Sequence, residues 1–138
     1  MPTYMLDTNI CIYLMKRQPP QVAARLAECF EGEVVLSVIT LAELEYGVSV
    51  SSAPEHARHA LDALVARVPV LPLTPAAAHA YGAIRKATRH RKSDALDKLI
   101  AAHARSVGAV VVTNNVSDFA SYPGIQIEDW TQPAPREH

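Results

Sequence analysis

The sequence predicts an α/β fold: one domain with a central, mostly parallel sheet of four to five strands sandwiched between helices. Two observations carry this expectation. Short strand-like runs recur at residues 4–6, 34–36, 68–73, 109–113 and 125–127, and segments with helical spacing of apolar residues lie between them. The run at 109–113 is continuous and β-branched, the pattern of a strand covered on both faces. Strands that alternate with helices or helix pairs pair in parallel through crossovers.

Each element has its own signal. Tyr4-Met5-Leu6 is a short apolar run followed by Asp7-Thr8-Asn9, three residues suited to turns and helix caps. Ile10, Ile12, Tyr13 and Leu14 then read as a helix closed by Pro19-Pro20. Val22, Ala23, Leu26, Ala27 and Phe30 mark a second amphipathic helix. After the strand at 34–36, Thr40 and Glu43 have capping-box spacing, with Ile39 and Leu44 placed as a hydrophobic staple. Ser52, Pro54 and Glu55 predict the start of a further helix reaching about Arg67. Pro69 and Pro72 restrict the run at 68–73 to an irregular or edge strand. Thr74-Pro75 opens the next helix, with Ala77, Ala80, Tyr81, Ile84 and Ala87 on one face. A polar break at Lys92-Ser93 precedes a helix from near Asp94 that Gly108 ends. Residues 114–119 read as a loop or short turn, and Tyr122-Pro123-Gly124 as a turn.

The 138 residues fit one domain, expected over 1–130, with a polar tail at 131–138 expected to be disordered. Hydrophobic residues make up 49% and charged residues 20%, a globular profile. The formal net charge is −1, so contact with nucleic acid requires a local basic patch. Cys11 and Cys29 form no metal-binding spacing and read as free thiols in a reducing cytoplasm. The N-terminus lacks the features of a signal peptide, and no apolar run reaches membrane-spanning length. A cytoplasmic protein is expected.

Chemistry in an open parallel sheet collects beyond the carboxyl ends of its strands. Asp7 follows the first strand, Glu43 lies in the helix after the second, and Asp118 follows the strand at 109–113. Asp97 sits in the first turn of the helix leading into that strand, with Asp94 at its start. Taken singly, each has a structural explanation: Asp7 as a helix cap, Glu43 as a capping-box acid, Asp94 and Asp97 as partners of the helix dipole, Asp118 as a turn residue. Their shared end of the sheet favours a site. Clustered carboxylates repel unless a cation neutralises them. An all-oxygen donor set favours Mg²⁺ or Mn²⁺ over zinc. Such a centre suits phosphodiester hydrolysis. No P-loop occurs among the five glycines, and His103 sits in an apolar helical stripe as a buried, hydrogen-bonded residue.

One segment is strongly basic: Arg85, Lys86, Arg89, His90, Arg91 and Lys92. It reads equally as a helix end complementing the dipole and as a surface for RNA phosphates, with Arg85, Arg89, Arg91 and Lys92 as the candidate contacts.

The motifs together resemble a known family. Tyr4-Met5-Leu6-Asp7-Thr8-Asn9, followed by Ser37, Ile39, Thr40, Glu43, Leu44 and Gly47, resembles the opening of PIN-domain proteins of the VapC toxin type. Residues 97–104, Asp-Lys-Leu-Ile-Ala-Ala-His-Ala, are similar to the third motif of that family. Val112-Thr113-Asn114-Asn115 with Asp118-Phe119 is similar to the fourth, and Trp130 falls where many members end. The resemblance spans residues 3–130. It implies a metal-dependent endoribonuclease, the toxin of a type II toxin–antitoxin pair, with a VapB-type antitoxin as partner and a homodimeric state. It assigns Asp7, Glu43, Asp97 and Asp118 to the catalytic cluster, with Asp7 and Asp97 as the direct ligands of Mg²⁺ or Mn²⁺. Asn9, Thr113 and Asn115 become supporting residues. The sequence departs from the family at 91–96, Arg-Lys-Ser-Asp-Ala-Leu, where many relatives carry a Gly-x-Pro-Ile-Gly-like stretch. This leaves Asp94 either in the metal shell or as a helix cap. Competing readings are a PIN nuclease for RNA processing or DNA cleavage, a non-catalytic RNA- or partner-binding scaffold, and, more weakly, a receiver-type phosphoacceptor domain.

Overall fold

The computed structural model describes residues 2–133. Its elements in chain order are β1 (Tyr4–Leu6), α1 (Thr8–Lys16), α2 (Pro20–Ala27), β2 (Val34–Ser37), α3 (Val38–Ser49), α4 (Pro54–Arg67), β3 (Val70–Leu71), α5 (Pro75–Ala87), α6 (Ala95–Val107), β4 (Val110–Val112), α7 (Val116–Ala120) and β5 (Ile127–Glu128). The five strands form one sheet in the order β3-β2-β1-β4-β5, and every neighbouring pair is parallel. This strand order differs from the 2-1-3-4-5 order of receiver-type domains, which removes that reading.

Two-residue periodicity divides the core between the two faces of the sheet. Leu6, Val34, Leu36 and Val112 point into one cluster with Ile10, Val22, Leu44 and Leu61, so α1–α4 cover that face. Met5, Val35 and Val111 point the other way, against Ile84, Ile100, Ala101 and Phe119 of α5, α6 and α7. The central strands are therefore apolar except at Ser37, the end of β2, because both faces are covered.

The proline-bearing run at 68–73 contributes only the two-residue β3, at the sheet edge. Gly108 takes φ 70 at the end of α6 and returns the chain to β4, as its position predicts. Gly124 takes φ 77 in the turn at 122–124. A Cβ there would meet only the movable end of the exposed Arg105 side chain, so it is the positive φ that selects glycine.

Several local expectations are corrected. The segment at 114–119 is not all loop, because α7 forms within it. α2 begins at Pro20, which occupies the first turn, where its missing N–H costs nothing. α3 begins at Val38, directly after β2, and its cap is Ser37: Ser37 Oγ accepts from Ile39 N at 3.1 Å. Thr40 is buried within the helix, so the Thr40–Glu43 capping box does not form. Ser52 likewise does not cap α4, whose N-cap position is Ala53 with no side-chain cap; Ser51 Oγ accepts from Ala53 N at 3.0 Å in the turn before it. Past the expected domain limit at 130, Thr131 is tied down: its carbonyl accepts from Gln21 Nε2 at 2.8 Å and its N–H donates to Asp129 Oδ1 at 2.8 Å. The remainder of the tail, 134–138, lies outside the described residues.

Candidate active site

From β1 the chain first extends the sheet through β2 and β3, then crosses back to place β4 and β5 on the other side of β1. The carboxyl ends of β1 and β4 therefore flank the topological switch point, where open α/β sheets bind their ligands. Leu6 pairs with Val112, and Asp7 N donates to Val112 O at 3.0 Å. This register brings Asp7 and Thr113 together. Asp7 is nearly buried and caps α1, its Oδ1 accepting from Ile10 N at 3.0 Å. Burial pushes its carboxyl pKa up, and the charges of Glu43 and Asp129 add to that push. The Thr113 hydroxyl and the Ile10 N–H act in the opposite direction.

Glu43 reaches the same edge from α3, where its Oε1 accepts from Thr8 Oγ1 at 2.6 Å. Asp97 arrives in the first turn of α6. Because α6 ends two residues before β4, its opposite end lies at the carboxyl edge of the sheet. Asp97 is half-buried, and its pKa is raised from 3.8 to about 6. Burial is the leading cause, followed by the charges of Asp7, Glu43, Asp94 and Asp118 in that order. Asp97 is thus the residue on which the field of the whole acidic cluster converges.

Asp118 lies at the rim in α7, where Asn115 Nδ2 donates to its Oδ2 at 2.8 Å. Asn115 N donates to Thr113 Oγ1 at 2.9 Å, so both supporting residues hold the loop after β4. Asn9, also expected to support the site, is exposed in the first turn of α1.

Asp94 stands at the N-cap position of α6 but makes no side-chain cap. It accepts from Tyr122 OH at 2.6 Å and pairs with Lys98 Nζ at 3.0 Å and Arg91 Nη2 at 3.2 Å. Burial raises its pKa, but these partners outweigh burial and hold it below the usual carboxylate range. Its Oδ2 takes the Tyr122 hydroxyl and the Arg91 guanidinium, while Oδ1 faces the Lys98 ammonium without a hydrogen bond, so the carboxylate is engaged chiefly by cations of the fold. Arg91 also pairs with Asp118 at 3.4 Å and donates to Asp118 O at 3.0 Å. The departure at 91–96 thus serves as an ion-pair clamp between α6 and α7.

Sequence reasoning missed three contributors. Asp129 directly follows β5 and acts on Asp7 through its charge; the strand-end rule that found Asp7 would have found it. Thr8 holds Glu43. Lys98 is buried beside Asp97, and its ammonium donates to Thr88 O at 3.0 Å and to Arg91 O as well as pairing with Asp94. His103 is fully buried, as expected. Its Nδ1 lies 2.7 Å from Ser37 Oγ, and burial lowers its pKa, so it ties α6 to the cap of α3 in neutral form.

Every donor at the switch point is a hard oxygen, the set that suits Mg²⁺ or Mn²⁺. Among the described residues no three His, Cys, Asp or Glu side chains are already gathered around one point. Asp7 and Asp97 are the pair in most direct conflict, since Asp7 is the leading charge acting on Asp97.

A stability prediction follows for the metal-free protein. The folded pKa of Asp97, about 6, lies above the ordinary value of 3.8. The folded state alone holds this proton between the two values, so the stabilisation is complete below pH 4 and disappears as pH rises through 6. Urea unfolding in EDTA at a series of pH values is expected to show this loss in the wild type. In Asp97→Asn that component is expected to vanish. Equal pH slopes in the two proteins would contradict the assignment.

Comparison with known proteins gives a consistent picture. A family model described as the PIN domain matches residues 4–124. A protein of Shigella flexneri named tRNA(fMet)-specific endonuclease VapC is 40% identical over 130 residues, covering 93% of this chain and 98% of that protein. The protein of the same name from Salmonella typhimurium is 42% identical over 130 residues, covering 92% and 97%. Among solved structures, a DNA-bound VapBC complex from Salmonella typhimurium superposes with a TM-score of 0.87 at 40% identity, covering 94% of this chain and 99% of that one.

Proposed function

The chain belongs to the VapC group of the PIN-domain family, and from that premise we propose that it is an endoribonuclease toxin acting through Asp7, Glu43, Asp97 and Asp118, and dependent on Mg²⁺ or Mn²⁺. The observation that carries the reading is placement: Asp7 at the end of β1, Glu43 on α3, Asp97 in the first turn of α6 and Asp118 on α7 all lie toward the carboxyl edge of the sheet at its switch point, and the charges of the other three add to the burial that raises the pKa of Asp97. Structural likeness to VapBC complexes supports a VapB-type antitoxin as the partner. The homodimeric state and cytoplasmic location belong to the same proposal; among the described residues, no helix is long and apolar enough to cross a membrane. Two relatives are named for tRNA(fMet), which makes that tRNA the first substrate to try.

Asp7 and Asp97 would hold the ion. When bound, it would supply an acidified water and charge stabilisation at the scissile phosphate. The protein's own contribution is positioning. Ile10 N fixes Asp7, Thr8 fixes Glu43, and Asn115 fixes Asp118. Glu43, held at the edge of the cluster and free of any cationic partner among the described residues, is placed to accept a proton from the attacking water.

The test is incubation of the purified protein with total cellular RNA, with Mg²⁺ or Mn²⁺ and with EDTA. Discrete fragments that disappear in EDTA are expected. Binding of RNA without cleavage under every metal condition would instead support a non-catalytic scaffold.

A further inference from the structure

Beside the acidic centre lies a cleft of about 480 Å³ walled by Tyr81, Arg85, Arg89, Arg91, Lys92 and Lys98. Two of its cations are neutralised within the fold. Lys98 is buried against Asp94 and two carbonyls, and Arg91 bridges Asp94 and Asp118. The other three differ: Arg85, Arg89 and Lys92 are exposed and form no ion pair among the described residues. Arg85 lies over the Tyr81 ring, 6.0 Å from its centre. A chain of net charge −1 thus concentrates three uncompensated cations and an aromatic face in one concavity. Such a grouping creates a local positive potential that attracts an anion.

Position identifies the anion. Arg91 forms a wall of the cleft and also touches Asp94 and Asp118, both of which act on Asp97. The cleft and the acidic centre therefore share a border. A strand cut at the centre must continue past it, and the cleft is the adjoining surface with compensating charge.

We propose that this cleft holds backbone phosphates of the RNA beside the scissile bond, with Arg85, Arg89 and Lys92 as phosphate contacts and Tyr81 as a stacking face for a base. The assignment rests on the endoribonuclease reading and deepens it. Guanidinium groups suit phosphate oxygens through paired N–H donors, and aromatic faces accept any base. Arg91 falls outside the contact set because its donors are already engaged by Asp94, Asp118, Ser121 and Tyr122.

The experiment is equilibrium binding of a short fluorescein-labelled RNA in EDTA, followed across a salt series. The triple variant Arg85→Gln/Arg89→Gln/Lys92→Gln is expected to bind about tenfold more weakly, and its log–log salt slope should fall by about 2, the value for three lost phosphate contacts on a single strand. Arg85→Lys/Arg89→Lys should retain the wild-type slope. If the triple variant fails to fold, Arg89→Gln alone should lower the slope by about 0.7. An unchanged slope in the folded triple variant, or in Arg89→Gln, overturns the proposal. So does an unchanged RNA slope with weakened retention of a co-expressed antitoxin, which would give the cleft to an acidic protein segment. Cleavage of the same RNA by the wild type in Mg²⁺ is scored separately: its absence would count against the nuclease reading, whereas the slope reports on the cleft alone.

Discussion

Asp97→Asn is expected to reduce RNA cleavage by roughly 10³-fold or more while making the metal-free protein more stable above pH 6. The two effects share one cause. Asp97 is half-buried and faces the charges of Asp7, Glu43, Asp94 and Asp118, which lift its pKa to about 6. At neutral pH its ionised form is held against that field, so a neutral amide of the same shape relieves repulsion. After allowance for solvent screening the gain is on the order of 1 kcal/mol. The same carboxylate is one of two direct ligands in the proposed centre, so its loss removes the ion. Single-turnover cleavage and urea unfolding in EDTA, run on one preparation, measure both. A variant that lost activity by unfolding would show the opposite stability change. Asp7→Asn should be equally inactive, yet its remaining Oδ1 can still accept from Ile10 N, so the cap of α1 is expected to survive.

Trp130→Ala is expected to destabilise the fold by about 3–5 kcal/mol, the largest stability effect anticipated for a single side chain here. Trp130 is fully buried and belongs to the core cluster with Leu6, Ile10 and Val22. Its ring meets Tyr4 edge-on at 5.3 Å, and the Arg25 guanidinium lies 5.3 Å from its centre. Its Nε1 donates to Glu128 Oε1 at 3.0 Å, and Glu128 also pairs with Arg25. One residue near the end of the chain thus fastens β5 to β1 and α2. Denaturant unfolding should show the midpoint shift with little change in slope. A loss below about 1 kcal/mol would mean that the surrounding side chains close over the space.

The layered α/β architecture was legible because its signals are strong. Continuous apolar strands at 34–36 and 109–113 mark a doubly covered sheet, and Gly108 and Thr74-Pro75 mark real helix boundaries. The placement of the candidate acids was legible for the same reason, since the positions of Asp7 and Asp118 follow from strand ends. Glu43 follows from its place in the helix after β2, and the competing explanation, a capping box with Thr40, fails because Ser37 caps α3 and Glu43 takes the Thr8 hydroxyl. What could not be read was pairing between distant side chains. The sequence leaves Asp94 between metal ligand and cap; its side chain makes no cap bond and instead meets Tyr122 and Lys98, contacts that local spacing does not encode. Four adjacent basic residues looked alike in sequence, yet Arg91 is engaged within the fold and Arg85, Arg89 and Lys92 are exposed. These differences depend on packing at separations of tens of residues, which local patterns do not encode.

The most direct test of the central claim is a Mn²⁺ titration that follows bound metal by electron paramagnetic resonance and RNA cleavage rate in the same samples. If Asp7 and Asp97 hold the catalytic ion, cleavage should rise with bound Mn²⁺ along one curve, and Asp7→Asn and Asp97→Asn should lose both signals together while remaining folded. Cleavage that persists at full rate in metal-stripped protein, or in either folded variant, would contradict the account.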